Sequence, residues 1–212
     1  LYSKNMILKA KHNFFIYNFF RFYSLISIKL KFHNFKIIGN FEDKKLPLLV
    51  ISNHSTWWDG FWIMYLNLKL FKRRFYFMMQ EEQLKKFWFF NYSGGFSINK
   101  KSKSVIESIN YSSTILSKPE NMLLIFPQGA LNSIHNKNIY FQKGIEKIVA
   151  KTNNQIQIVF VANFIDYFNY SKPTLFQYIK EFKFEQFNID IFCNEYQNFY
   201  NNCVSEQSKI VV

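Results

Sequence analysis

Residues 53–60 read Asn-His-Ser-Thr-Trp-Trp-Asp-Gly, which sets His54 and Asp59 five positions apart. Leu48 to Ser52, just before them, form an apolar run of strand length, so the histidine stands at the mouth of a buried strand. If the chain turns into a helix near Ser55, one helical turn brings the Asp59 carboxylate back towards the imidazole. A carboxylate that accepts from one ring nitrogen fixes the tautomer and raises the basicity of the other. The free nitrogen can then take a proton from a hydroxyl. That is general-base catalysis, worth about 10² to 10⁴ in rate. The same pair can also do no more than cap a helix, and the two residues alone leave both readings open.

Other chemistries lack their residues. There is no Gly-x-Ser-x-Gly elbow, no phosphate-binding loop and no dinucleotide fingerprint. His12, His33 and His135 have no Cys or His partners at metal-ligand spacing, so no metal site is expected. Cys193 and Cys203 cannot build a disulfide framework and are expected to be free thiols.

Across the 212 residues, 49% are hydrophobic and 21% aromatic, with 27 phenylalanines, which excludes a disordered chain and calls for a packed core. The formal net charge is +13, which points to an anionic partner, either nucleic acid or a membrane surface. Lys, Asn, Ile, Phe and Tyr are over-used together, as an AT-rich coding sequence would give without any ligand. Arginine-rich runs and aromatic RNA-binding motifs are missing, so nucleic acid is not the expected partner.

The elements that must position the pair follow from periodicity and breakers. Phe14 to Ile28 reads as a helix that is apolar on most faces and flanked by lysines. It carries Asn18 and Arg21 and is too short to span a bilayer. It suits a helix lying in a membrane interface. Lys4, Lys9 and Lys11 precede it as in a signal peptide, but no small-residue cleavage site follows. Strands are expected at Leu48–Ser52, Phe75–Met79, Phe96–Ile98, Met122–Phe126 and Ile156–Phe164. Helices are expected at Trp58–Leu70, Glu81–Phe90, Lys103–Leu116 and Tyr140–Lys151. Ser171-Lys172-Pro173 turns into a return strand at Leu175–Phe182. Strands alternate with helices, so the expected class is α/β with a mostly parallel central sheet flanked by helices. The expected organisation is a membrane-interface helix region at 1–34 and an α/β domain at 35–212. The tail after Lys183 shows no clear period.

The motif does not stand alone. Asn53, His54 and Asp59 match the Asn-His-x4-Asp block of the glycerolipid acyltransferases, the lysophosphatidic-acid-acyltransferase-like superfamily, which this sequence resembles. Gly94-Gly95-Phe96-Ser97-Ile98-Asn99-Lys100 resembles the family's second block, which is Gly-rich and ends in a basic residue. Phe126-Pro127-Gln128-Gly129-Ala130-Leu131 stands where the family has Phe-Pro-Glu-Gly-Thr-Arg. Phe141-Gln142-Lys143-Gly144 looks like the family's F-K-x-G segment, and Ile156 to Ala162 like its last apolar strand. The resemblance runs from about Phe35 to Lys183.

The resemblance implies acyl transfer from an acyl thioester, acyl-CoA or acyl carrier protein, to the hydroxyl of a lysophospholipid or other lipid. No resident cofactor is implied. His54 would be the general base and Asp59 its orienting partner, with Asn53, Lys100, Phe126, Pro127, Gln128 and Gly129 as substrate-binding residues. Backbone N–H groups near Gly129 or after His54 are the candidates for stabilising the tetrahedral oxyanion. A place on the cytoplasmic face of an anionic membrane follows from the same resemblance. The departures matter for the acceptor. The family's phosphate-holding Arg is replaced by Leu131 and its Glu by Gln128, while Lys100, Lys101 and Lys103 keep positive charge near the second block. A head group other than glycerol phosphate is therefore open, as is a catalytically silent lipid- or acyl-carrier-binding protein on the same scaffold.

Overall fold

The computed structural model describes residues 7–99 and 104–211. The helices are α1 (Phe14–Lys31), α2 (Asp59–Leu66), α3 (Glu81–Lys86), α4 (Val105–Ile115), α5 (Ile145–Ala150) and α6 (Ile189–Ser208). The strands are β1 (Asn34–Ile38), β2 (Leu48–Ser52), β3 (Arg74–Gln80), β4 (Gly95–Ile98), β5 (Asn121–Ile125), β6 (Gln157–Asp166) and β7 (Thr174–Phe182). They form one sheet of seven strands in the order β1-β7-β6-β2-β5-β3-β4. From β6 through β4 the strands are parallel; β7 runs antiparallel to β6, and β1 pairs parallel with β7. The α/β class with a mostly parallel sheet is therefore as the sequence implies.

β2 and β5 are buried along their whole length because helices cover both faces. Leu49, Ile51, Leu123 and Phe160 pack on one face with Ile109 of α4, Ile148 of α5 and Tyr196 of α6. Val50, Leu124 and Val161 pack on the other with Ile63 and Met64 of α2. Burying a side chain of this size stabilises by about 1.5–3 kcal/mol, so the two layers fix where the strand ends fall. β2 and β5 are neighbours in register, Ile51 opposite Ile125, and both end at the same edge. The segments after them, 53–58 and 126–132, thus lie side by side, where parallel α/β sheets commonly hold their ligands.

α1 packs on α2. It begins at Asn13, whose side chain accepts from the amides of Phe15 and Ile16. It buries Ser24, Ser27 and Ile28. Phe20 meets Phe61 of α2 and Phe90, with centroids 6.0 and 5.4 Å apart. The residues before α1 lie against the β4 edge through Ser97 N–H to Leu8 O at 2.9 Å and Asn13 N–H to Tyr92 O at 2.9 Å. His12, within that segment, packs against Gly94. Gly94 has φ +108, and a Cβ there would stand 2.2 Å from the Phe75 carbonyl oxygen and 2.9 Å from His12 Nε2. Only glycine fits.

Several elements differ from the sequence expectation. The helix from Trp58 passes into a π-helical turn at Asn67–Phe71, and the helix from Glu81 passes into a 3-10 helix at Trp88–Ser93. The helix expected from Tyr140 begins only at Ile145. The chain before it is pulled away by the bond from Gln142 N–H to Pro127 O at 2.9 Å, and Gly144 turns with φ +126. The unplaced tail holds α6, whose buried Phe192, Tyr196, Phe199 and Cys203 repeat at helical spacing. Asn188 caps it. Its asparagines and glutamates hid that stripe in the composition. Among the described residues, no helix is long and apolar enough to cross a membrane.

Candidate active site

Asp59 opens α2 and is fully buried. Its Oδ2 accepts three hydrogen bonds, from His54 Nδ1 at 2.9 Å, Ser55 N–H at 2.6 Å and Thr56 N–H at 2.9 Å. Buried carboxylates survive only with such partners, and the first turn of a helix favours the negative charge. Since the carboxylate accepts, Nδ1 carries a proton, and in the neutral imidazole the lone pair is then on Nε2.

His54 is also held from the segment after β5. Its amide N–H donates to Gln128 Oε1 at 2.7 Å, and its carbonyl accepts from Asn132 N–H at 2.9 Å. Its ring stacks on Phe126 with centroids 4.0 Å apart and planes 11° from parallel. The residue before it is fixed from β6. Asn53 Oδ1 accepts from Asn163 N–H at 2.8 Å, and Asn53 Nδ2 donates to Asn163 O at 3.2 Å.

The His54 side chain, 22% exposed, lines a cavity of about 490 Å³ whose walls are mostly apolar. Met64, Phe75 and Phe77 contribute from one face of the sheet, and Met78, Ile109 and Ile148 from the other. A cavity of a few hundred Å³ with few polar groups suits an apolar ligand. Lys143 is the charged residue on its wall among the described residues.

The sequence candidates sort as follows. His54, Phe126, Pro127 and Gly129 line the cavity. Asp59 stands behind His54. The side chains of Asn53 and Gln128 hold the backbone of Asn163 and His54 and are not on the cavity wall. Lys100, with Lys101 and Lys103, lies outside the described residues. Three of the amides near Gly129 or after His54 are engaged elsewhere. Those of Ser55 and Thr56 point at Asp59, and that of Gly129 donates to Phe126 O at 3.1 Å. Sequence reasoning missed Asn163 and Asn132, whose contacts depend on strand neighbours and leave no local signal. Lys143 was visible in the Phe141–Gly144 segment but was not singled out. Both cysteines are free, as expected, and burial raises each thiol, that of Cys203 to about 12. Among the described residues no cluster of three potential ligands could hold a metal.

An α/β sheet with this histidine–aspartate pair at its strand ends is the setting of an acyltransferase, and the comparison with known families agrees. The model of the Acyltransferase family matches residues 30–163, and the chain belongs to that family. It is also 27% identical over 123 residues to a 1-acyl-sn-glycerol-3-phosphate acyltransferase of Streptococcus pneumoniae (strain ATCC BAA-255 / R6). That match covers 57% of this chain and 42% of the relative, so the chain spans about two-fifths of the relative's length.

Proposed function

We propose that this acyltransferase moves a fatty acyl group from an acyl thioester, acyl-CoA or acyl carrier protein, to the hydroxyl of a lysophospholipid or a related lipid. The observation that carries this reading is the His54–Asp59 pair at the wall of an apolar cavity. His54 Nε2 takes the proton of the acceptor hydroxyl as its oxygen attacks the thioester carbonyl carbon. Asp59 holds the Nδ1 proton and stabilises the imidazolium. The tetrahedral intermediate collapses, the carbon–sulfur bond breaks, and the imidazolium returns the proton to the leaving thiolate. No acyl-enzyme is needed, because the acceptor is the nucleophile.

The enzyme works at an anionic membrane surface in this reading. Phe15, 78% exposed on α1, and Trp88, 60% exposed on the 3-10 helix, border an aromatic groove. Phe20, Trp57, Phe61 and Phe90 line both that groove and the cavity, and in this reading an apolar chain passes between them to reach His54. Residues 1–34 serve as the membrane-facing region and 35–212 as the catalytic domain. The 1-acyl-sn-glycerol-3-phosphate in the pneumococcal relative's name is one candidate acceptor, and in this reading Lys143, on the cavity wall, meets an anionic head group. The test is thiol release from acyl-CoA or acyl carrier protein with a panel of lysophospholipids and uncharged monoacyl lipids. Release that depends on an acceptor supports the reading; none with any donor and acceptor refutes it.

A further inference from the structure

The segment after β5 grips the candidate base at three points: its amide N–H through Gln128, its carbonyl through Asn132 and its ring through Phe126. That segment is itself anchored, by Gln142 N–H to Pro127 O at 2.9 Å and by Gln80 Nε2 to Gly129 O at 3.0 Å. Of the three grips on His54, the Gln128 bond is the one made by a side chain to the backbone, and it is short, at 2.7 Å. Gln128 is 8% exposed and off the cavity wall.

We infer that Gln128 is a positioning residue, a latch on the His54 peptide that sets the imidazole over Phe126 and within reach of Asp59, and not a contact for the acceptor's head group. The inference rests on His54 being the base. It also accounts for the departure from the family pattern. Accepting an amide N–H needs a side-chain oxygen at this length and no charge, so glutamine meets the requirement as glutamate would. Without the latch the imidazole can drift, and a misplacement of about 1 Å can cost about a hundredfold in rate.

The experiment compares Gln128→Leu and Gln128→Glu with wild type by steady-state transfer and by NMR of the His54 ring protons, assigned by their loss in His54→Ala. Gln128→Leu is expected to lower kcat by about ten- to a hundredfold. KM for the acceptor should stay within about twofold, because a residue acting through the base alone leaves substrate binding untouched. The upfield ring-current shift that stacking on Phe126 gives His54 should be lost. Gln128→Glu is expected to keep kcat within about threefold and to restore the ring shift. A Gln128→Leu protein that keeps kcat and the ring shift, or one that raises KM alone, overturns the latch. If wild type shows no transfer, the NMR arm still decides: loss of the ring shift in Gln128→Leu upholds the latch while the acyl-transfer reading falls, and retention sinks it.

Discussion

His54 Nδ1 lies 2.9 Å from Asp59 Oδ2, and that same oxygen also accepts the amides of Ser55 and Thr56. One buried carboxylate therefore shapes the turn between β2 and α2 and orients the imidazole on it. Asp59→Asn places an amide where an acceptor oxygen is needed. Transfer should fall by about 10²-fold or more. The melting temperature should fall as well, since disturbing a buried hydrogen-bonded charge costs about 1–3 kcal/mol or more. Transfer within about twofold of wild type would remove Asp59 from the mechanism.

The proposed membrane contact falls on the aromatic rim of α1. Phe15 and Phe19 are exposed, so replacing both by glutamate should leave the fold and its melting temperature intact. Partitioning to anionic vesicles, read by co-sedimentation, should drop by at least about tenfold, as each buried phenylalanine is worth about 1.5–3 kcal/mol. Unchanged partitioning would place the membrane contact elsewhere.

Much of this was legible beforehand because the His54 and Phe126 blocks each follow a buried strand. The apolar run Leu48–Ser52 fixes where His54 emerges, and the run Met122–Phe126 fixes where the Pro127-Gln128-Gly129 turn begins. What the chain order cannot express is that β2 lies between β5 and β6. That adjacency brings Gln128 to the His54 amide and Asn163 to Asn53, pairs that are 74 and 110 residues apart. The tail was opaque for a different reason. The apolar stripe of α6 is interrupted by so many asparagines and glutamates that its burial depends on the sheet it covers.

His12 predicts an acid sensitivity of the fold. Burial holds it neutral, lowering it from 6.5 to about 4; its bond to the Phe75 carbonyl opposes this, and Arg74 adds to it. Between those values the unfolded chain binds a proton that the folded chain does not, so stability is full above about 6.5 and declines as pH falls towards 4. Urea midpoints measured from pH 7 to 4 should show that decline. His12→Gln, which keeps a donor for the Phe75 carbonyl, should flatten it. Equal slopes in the two proteins would contradict the assignment.

The proposed contact of Lys143 with an anionic head group is tested by substitution. Lys143→Gln should raise KM for an anionic lysophospholipid about fivefold or more, the loss of one charge-assisted contact. Its kcat should stay within about twofold, and KM for an uncharged monoacyl lipid should not change. Equal effects on both acceptors would show that Lys143 does not discriminate head groups.

The most direct measurement is acceptor-dependent thiol release by wild type and His54→Ala, each shown to be folded and vesicle-bound. The account predicts robust release by wild type and a loss of at least about 10²-fold in the variant at equal vesicle binding. Release by His54→Ala at the wild-type rate would contradict it.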